Sequence, residues 1–254
     1  MKWWALMSTF GRSFFLQTLW NFERMQNVGF AFSMVPLLKQ AAGSRAAFQR
    51  LLRQQLKFFN THPYLAPIVM GVVYAKTTGR DKSDEKEDPT ITVLKDSMGG
   101  AFGAVGDHVI WGTWRPFAII IALAAGVLVA SPARAWGVCG QWWIVGFLCM
   151  FNAVHLWLRW RGLKKASQDG RGVVRWLESL HLQAWAAQIR RLGLLLLVVM
   201  VLIYLGRWTT SNLLIWMFGI LLGTVVLKRW SSSGMVIFYM VTAVALTLSY
   251  FGVH

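Results

Sequence analysis

Three groups of polar residues interrupt an otherwise oily chain, and each could hold a hydroxyl-rich ligand. In "WNFERMQNVGFAFSMVP", residues 20–36, helical winding of about 100° per residue gathers Glu23, Gln26, Asn27 and Ser33 within an arc of about 120°. Phe22, Met25, Val28 and Phe32 fall on the other side. One carboxylate, two amides and a hydroxyl on one face mix acceptors with donors, as a neutral polyhydroxyl compound requires. The same pattern also describes an amphipathic helix whose polar side meets water.

The second group is "FFNTHPY", residues 58–64. Asn60 and Thr61 can cap backbone groups where a helix stops, and His62 is pushed out of the α region by Pro63. This is either a self-satisfied helix end or a discontinuous helix whose freed groups face a ligand, as at transporter sites. The third group is "MGGAFGAVGDHVIWGTWRP", residues 98–116. Gly99, Gly100, Gly103 and Gly106 have the small-residue spacing that lets backbones approach closely. Asp107, His108, Trp111 and Arg115 follow. An ionisable residue in such a stretch points to function, with a structural Asp107–Arg115 ion pair as the other reading. The glycines form neither a dinucleotide fingerprint nor a P-loop.

Catalytic chemistry finds little support. His62, His108, His155, His181 and His254 show no metal-ligand spacing, and neither HExxH nor GxSxG occurs. Cys139 and Cys149 are neither a redox pair nor a zinc motif and read as buried thiols. Asn152 and His155 read as packing or interhelical hydrogen-bonding groups.

The elements that must position these residues belong to a membrane protein. The 254 residues are 56% hydrophobic, with mean hydropathy +0.47, above the roughly 45–50% apolar content of globular domains. Fifteen Trp and sixteen Phe suit bilayer interfaces. The net charge of +16 would raise nucleic-acid binding in a soluble chain, but no reading module accompanies it. The basic residues cluster instead between apolar segments, eight Lys or Arg against two acids over residues 159–191, which predicts a cytoplasmic segment.

The start, "MKWWALMSTFGRSFFLQ", reads as an aromatic-rich interfacial helix rather than a cleavable signal. Residues 117–130 are apolar but too short to span alone, which predicts a re-entrant or broken helix. Residues 137–158 are long enough to cross. Further spans are predicted from residue 192, over 212–227, and from 235 to the C-terminus, which this order places outside. Residues 77–90, "TTGRDKSDEKEDPT", read as a solvated loop. The expectation is an all-α integral membrane protein with broken or re-entrant helices in the first half and a transmembrane helical anchor in the second. Its parts are a polar-rich core (1–116), a short apolar helix plus a transmembrane helix (117–158), a basic cytoplasmic segment (159–191) and a three-helix anchor (192–254).

"RSFFLQTLWNFERMQNVGFAFSMVP", "FFNTHPYLAPIVMGVVYA" and "GDHVIWGTWRP" resemble the IID membrane component of the mannose-type phosphotransferase system, strongly over residues 12–116 and in outline to the C-terminus. The resemblance implies a multi-pass protein of the bacterial inner membrane that works with a IIC membrane subunit in a hetero-oligomer surrounded by lipid. It implies inward transport of a hexose or amino sugar, phosphorylated on entry by IIB, which IIA recharges. It implies no cofactor and no phosphorylated residue on this chain. The positions expected on the substrate path or the subunit contact are Asn21, Glu23, Gln26, Asn27, Asn60, Thr61, His62, Asp107, His108, Trp111 and Arg115, with Trp20 or Trp111 against the sugar's C–H face. Two features depart from the family pattern: His108 stands where proline or serine is usual, and the C-terminal half is shorter and unusually basic. A non-transporting scaffold or regulatory subunit that keeps the fold is the alternative reading.

Overall fold

A computed structural model describes residues 2–79, 88–129, 139–170 and 172–207. The chain divides into two compact units, residues 1–197 and 198–254, and all that follows on packing concerns the first. Among the described residues helices dominate, and extended pairing is confined to the isolated bridges Asn21–Met25 and Met25–Phe59. The spans predicted over 212–227 and from 235 onward lie outside the described residues, as does most of the loop at 77–90.

Helix α1 (Trp3–Arg12) and a 3₁₀ turn (Ser13–Phe15) lead into an irregular stretch, then α2 (Asn27–Ala41) and α3 (Arg45–Gln55). Ala5 and Leu6 of α1 face the core, whereas Trp3, Trp4 and Met7 are exposed. Pro36 lies inside α2 and cannot donate to the carbonyl of Phe32. The Arg12 guanidinium donates to that oxygen instead, at 3.3 Å. Ser44 caps α3, its hydroxyl accepting from the Ala47 N–H at 3.1 Å.

A non-helical segment separates α3 from α4 (Ala66–Thr78). Helix α4 packs along α7 (Cys139–Gln168), and small residues set how closely. A Cβ on Gly71 would lie 2.6 Å from that of Ala166, and one on Gly162 would overlap Ile68. Phe30 of α2 and Phe59 of the break, with ring centroids 4.2 Å apart, join Leu6, Met34, Leu37, Met70, Ile91 and Leu163 in the main core.

Helix α5 (Pro89–Gly106) starts on an Asp88 cap, whose carboxylate accepts from Thr90 N at 2.9 Å. It continues without interruption through a π-helical stretch (Asp107–Trp114) into α6 (Arg115–Val129). Over its described part, 117–129, the separate short or re-entrant element expected at 117–130 is therefore the end of one long helix. The widened register, in which Arg115 N donates to Ile110 O, ends just before Pro116, the residue that has no N–H to give. Residues Pro89–Ala125 are long and apolar enough to cross a membrane, and so are Gly172–Met200.

Helix α7 does not end where the basic stretch begins. It runs on to Gln168, with Arg159, Leu163, Ala166 and Ser167 buried, because this stretch supplies the small and apolar face that α4 requires. Helices α8 (Gly172–Ser179) and α9 (Leu182–Arg207) follow, joined at His181, whose φ is 45°. Leu192, Leu194, Leu195, Leu197, Val198 and Val199 are all exposed on α9. A helix end that is apolar on all sides belongs in lipid rather than water.

Candidate functional site

The helix predicted over 20–36 exists only from Asn27 onward. Residues 20–26 form a turn in which Asn21 and Met25 exchange backbone hydrogen bonds of 3.1 and 2.9 Å and Met25 adopts φ 56°. Asn21 makes the turn: its Oδ1 accepts from Arg24 N at 2.8 Å, and its Nδ2 donates to Asn27 Oδ1 at 3.1 Å. Asparagine competes with helix in this way, by offering the backbone a local partner. The predicted single polar face is thereby divided. Glu23 is exposed and pairs with its neighbour Arg24 at 3.1 Å, whereas Gln26, Asn27 and Ser33 point inward and are buried.

The inward groups hold the break at 58–64 in place. Gln26 Nε2 donates to Thr61 O at 2.9 Å, and Gln26 Oε1 accepts from Thr61 N at 3.1 Å. The amide thus stands in for a strand partner. Gln26 N donates to Phe59 O at 2.8 Å. The carbonyls left over at the end of α3 also find donors: Asn27 Nδ2 donates to Leu56 O at 2.7 Å, and buried Lys95 Nζ donates to Gln55 O at 3.1 Å. Lys95 also lies 4.7 Å from the Phe30 ring centroid. On the other side of the break, the His62 carbonyl accepts from Leu65 N and Ala66 N at 3.0 and 3.2 Å and starts α4.

Glycines on α5 let this break lie directly against the helix. A Cβ on Gly99 would sit 2.8 Å from the carbonyl oxygen of Asn60, and one on Gly106 would overlap the His62 ring. His62 is buried and Asn60 exposed. Immediately beyond Gly106, Asp107, His108 and Trp111 are exposed, and the Trp111 ring meets that of His62 with centroids 4.6 Å apart. Tertiary structure thus joins the second and third sequence groups: Asn60 lies against Gly99, and His62 against Gly106 and Trp111, with Asn60, Asp107, His108 and Trp111 exposed and Thr61, His62, Gly99 and Gly106 buried. Arg115 lies one turn further along, exposed, and no ion pair joins it to Asp107 among the described residues.

Several residues that position this contact carry no local sequence signal. Arg159 is buried 146 residues away from its partner Ser13, to whose hydroxyl its Nη1 donates at 3.2 Å. Its guanidinium lies 4.7 Å from the Phe14 centroid and 5.0 Å from that of Tyr64. Tyr64 stacks on His155 at 4.1 Å, and His155 Nε2 bonds Asn152 Oδ1 at 2.7 Å within α7. The packing role expected of Asn152 and His155 is the one seen. The Arg190 guanidinium on α9 reaches His108 Nε2 at 2.9 Å; composition had marked Arg190 only as part of a basic run. Among the described residues, no three His, Cys, Asp or Glu side chains gather as a metal site would need. Chemically, these exposed residues offer a carboxylate acceptor, an amide, an imidazole and an indole, groups that can exchange hydrogen bonds with hydroxyls.

The sequence profile of the "PTS system mannose/fructose/sorbose family IID component" matches residues 3–215. The mannose-specific EIID component of Escherichia coli K12 is 32% identical over 212 residues, covering 82% of this chain and 69% of that protein. The sorbose-specific EIID component of Lacticaseibacillus casei is 31% identical over 208 residues, 82% and 68% of the two chains. The fructose permease IID component of Bacillus subtilis is 30% identical over 210 residues, 82% and 70%. Among solved structures, one described as a membrane protein superposes with TM-score 0.69 at 25% identity, over 99% of this chain and 97% of that one. A chain of the mannose transporter ManYZ in complex with microcin E492 superposes with TM-score 0.56 at 32% identity, over 83% and 72%. The all-helical fold with its long apolar helices agrees with these likenesses: the chain belongs to the IID components of the mannose/fructose/sorbose family of the phosphotransferase system, as a membrane transport subunit.

Proposed function

We propose that this chain, together with a IIC-type membrane partner, carries a hexose or amino sugar into the cell while a soluble IIB subunit phosphorylates it and IIA recharges IIB. The observation that carries the reading is the contact between the break and α5. The break is pinned by the reciprocal Gln26–Thr61 bonds, and Asn60, Asp107, His108 and Trp111 are exposed. Sugar recognition needs that combination: bidentate polar groups held rigid by a second layer, with an aromatic face beside them. Glu23, exposed and paired with Arg24, and the exposed Arg115 serve at the subunit contact or in water. The phosphohistidine resides on the partner subunits. The protein crosses the bacterial inner membrane several times, with the basic residues of 159–191 on the cytoplasmic side.

Uptake in cells lacking their own mannose-type permease tests this. The chain is co-expressed with its neighbouring IIC, IIB and IIA subunits and offered labelled mannose, fructose, sorbose, glucosamine and N-acetylgalactosamine. The expected result is intracellular sugar phosphate that disappears when this chain is omitted and falls with Asp107→Asn. An assembled complex that takes up none of these sugars would overturn the reading in favour of a scaffold role.

A further inference from the structure

The contact between His108 and Arg190 assigns a chemical role that neither residue's sequence context carries. The two residues are 82 positions apart, on the π stretch and on α9, with Arg190 Nη1 2.9 Å from His108 Nε2. A guanidinium has only donors, so Nε2 is the acceptor and carries no proton. In the neutral imidazole the proton then sits on Nδ1. Nδ1 has no partner among the described residues. The backbone of His108 is held as well, its carbonyl accepting from Thr113 Oγ1 at 2.9 Å.

We propose that Arg190 is a positioning residue that fixes the His108 tautomer, so that Nδ1–H is a dedicated donor beside the Asp107 carboxylate, and that this pair selects a ligand with adjacent hydroxyls. The inference rests on the transport reading above. Asp107 only accepts when ionised, and His108 in this tautomer only donates through Nδ1. One hydroxyl of a vicinal diol gives its proton to Asp107 and the next receives one from His108, which a free imidazole able to switch tautomers would satisfy less selectively. Serine at this position would offer a shorter and rotatable hydroxyl, and proline no side-chain donor. His108 therefore sets sugar preference in this chain, and Arg190 acts through it without touching the sugar.

Two measurements on the full chain, assembled with its IIC, IIB and IIA partners, test the proposal. In lipid nanodiscs with ¹⁵N-labelled histidine, the His108 signal, identified by its loss in His108→Ser, is expected to show a one-bond N–H coupling on Nδ1 and a bare Nε2. Arg190→Met is expected to abolish that bias and Arg190→Lys, which still donates, to retain it. In uptake, Arg190→Met is expected to raise KM for the transported sugar about 5- to 10-fold, the equivalent of one hydrogen bond, with maximal rate changed less than about twofold. Arg190→Lys should recover most of the loss. A proton on Nε2 in the unaltered chain, or a KM that Arg190→Met leaves alone while uptake is normal, overturns this proposal by itself. Absence of uptake by the unaltered complex overturns the transport reading and this one with it.

Discussion

Replacing Gly106 by alanine is the sharpest way to ask whether the break at 58–64 lies against α5 as described. The added Cβ would overlap His62 Cβ and Cγ and stand 2.7 Å from Nδ1. These atoms are next to the backbone and cannot swing aside. The ring is further confined by Trp111 and Tyr64, at centroid distances of 4.6 and 5.0 Å, and the His62 carbonyl is fixed by the first turn of α4. Overpacking of this kind costs about 1–3 kcal/mol. Gly100 lies on the same helix and is exposed, and a Cβ there meets nothing within 4 Å. Both substitutions gain the same helix propensity, about 1 kcal/mol over glycine, so that gain cancels in their difference. Gly106→Ala is thus expected to be less stable than Gly100→Ala by about 1–3 kcal/mol, with Gly100→Ala at or above the unaltered protein. The assay is reversible unfolding of the purified chain in mixed micelles, followed by circular dichroism and tryptophan fluorescence. Equal stability of the two variants would refute the close approach of His62 to α5.

Three further outcomes follow from the same contacts. Gln26→Leu strands the buried N–H and carbonyl of Thr61, at about 1–3 kcal/mol for each group. The same unfolding titration should show this loss, with hydrogen exchange at Thr61 accelerated. Arg159 is buried without a carboxylate partner among the described residues, and Ser13 keeps its own bond to Phe10 O when the guanidinium is removed. Arg159→Met, which retains the stem between Phe14 and Tyr64, should therefore unfold within about 1 kcal/mol of the unaltered chain, whereas Arg159→Ala leaves a void worth about 2–4 kcal/mol. Asp107→Asn alters an exposed side chain and should move stability by less than about 0.5 kcal/mol while lowering sugar uptake, which separates a functional loss from a folding defect.

Some of this protein is written locally. Composition and the long apolar runs place it in a membrane, because no other solvent tolerates exposed stretches such as Leu194, Leu195 and Val198 on one helix. The break before Pro63 is equally local, since the proline restricts His62 whatever surrounds it. The α5 glycines announce a close contact through their spacing alone. Their partner is another matter: nothing in the sequence says that Gly99 meets Asn60 and Gly106 meets His62, because that depends on how α3, α4 and α5 pack.

Periodicity failed where side chains outcompeted the helix. A 100° winding cannot register that Asn21 will accept from Arg24 N and turn the chain, which sent Glu23 to the surface and Gln26 into the interior. Charge counting failed at Arg159, which behaves in composition as one more cation of a basic run. Only the packing of α7 against α4 and the end of α1 withdraws it from solvent, onto Phe14, Tyr64 and Ser13. Arg190 and His108 illustrate the same limit. The sequence determined by itself that this is a helical membrane chain with a polar break and a glycine-lined helix, since those follow from local sterics and transfer free energy. Tertiary structure alone decided which polar groups hold the break and which face outward, because hydrogen-bond partners dozens of residues apart are chosen by packing and not by sequence spacing.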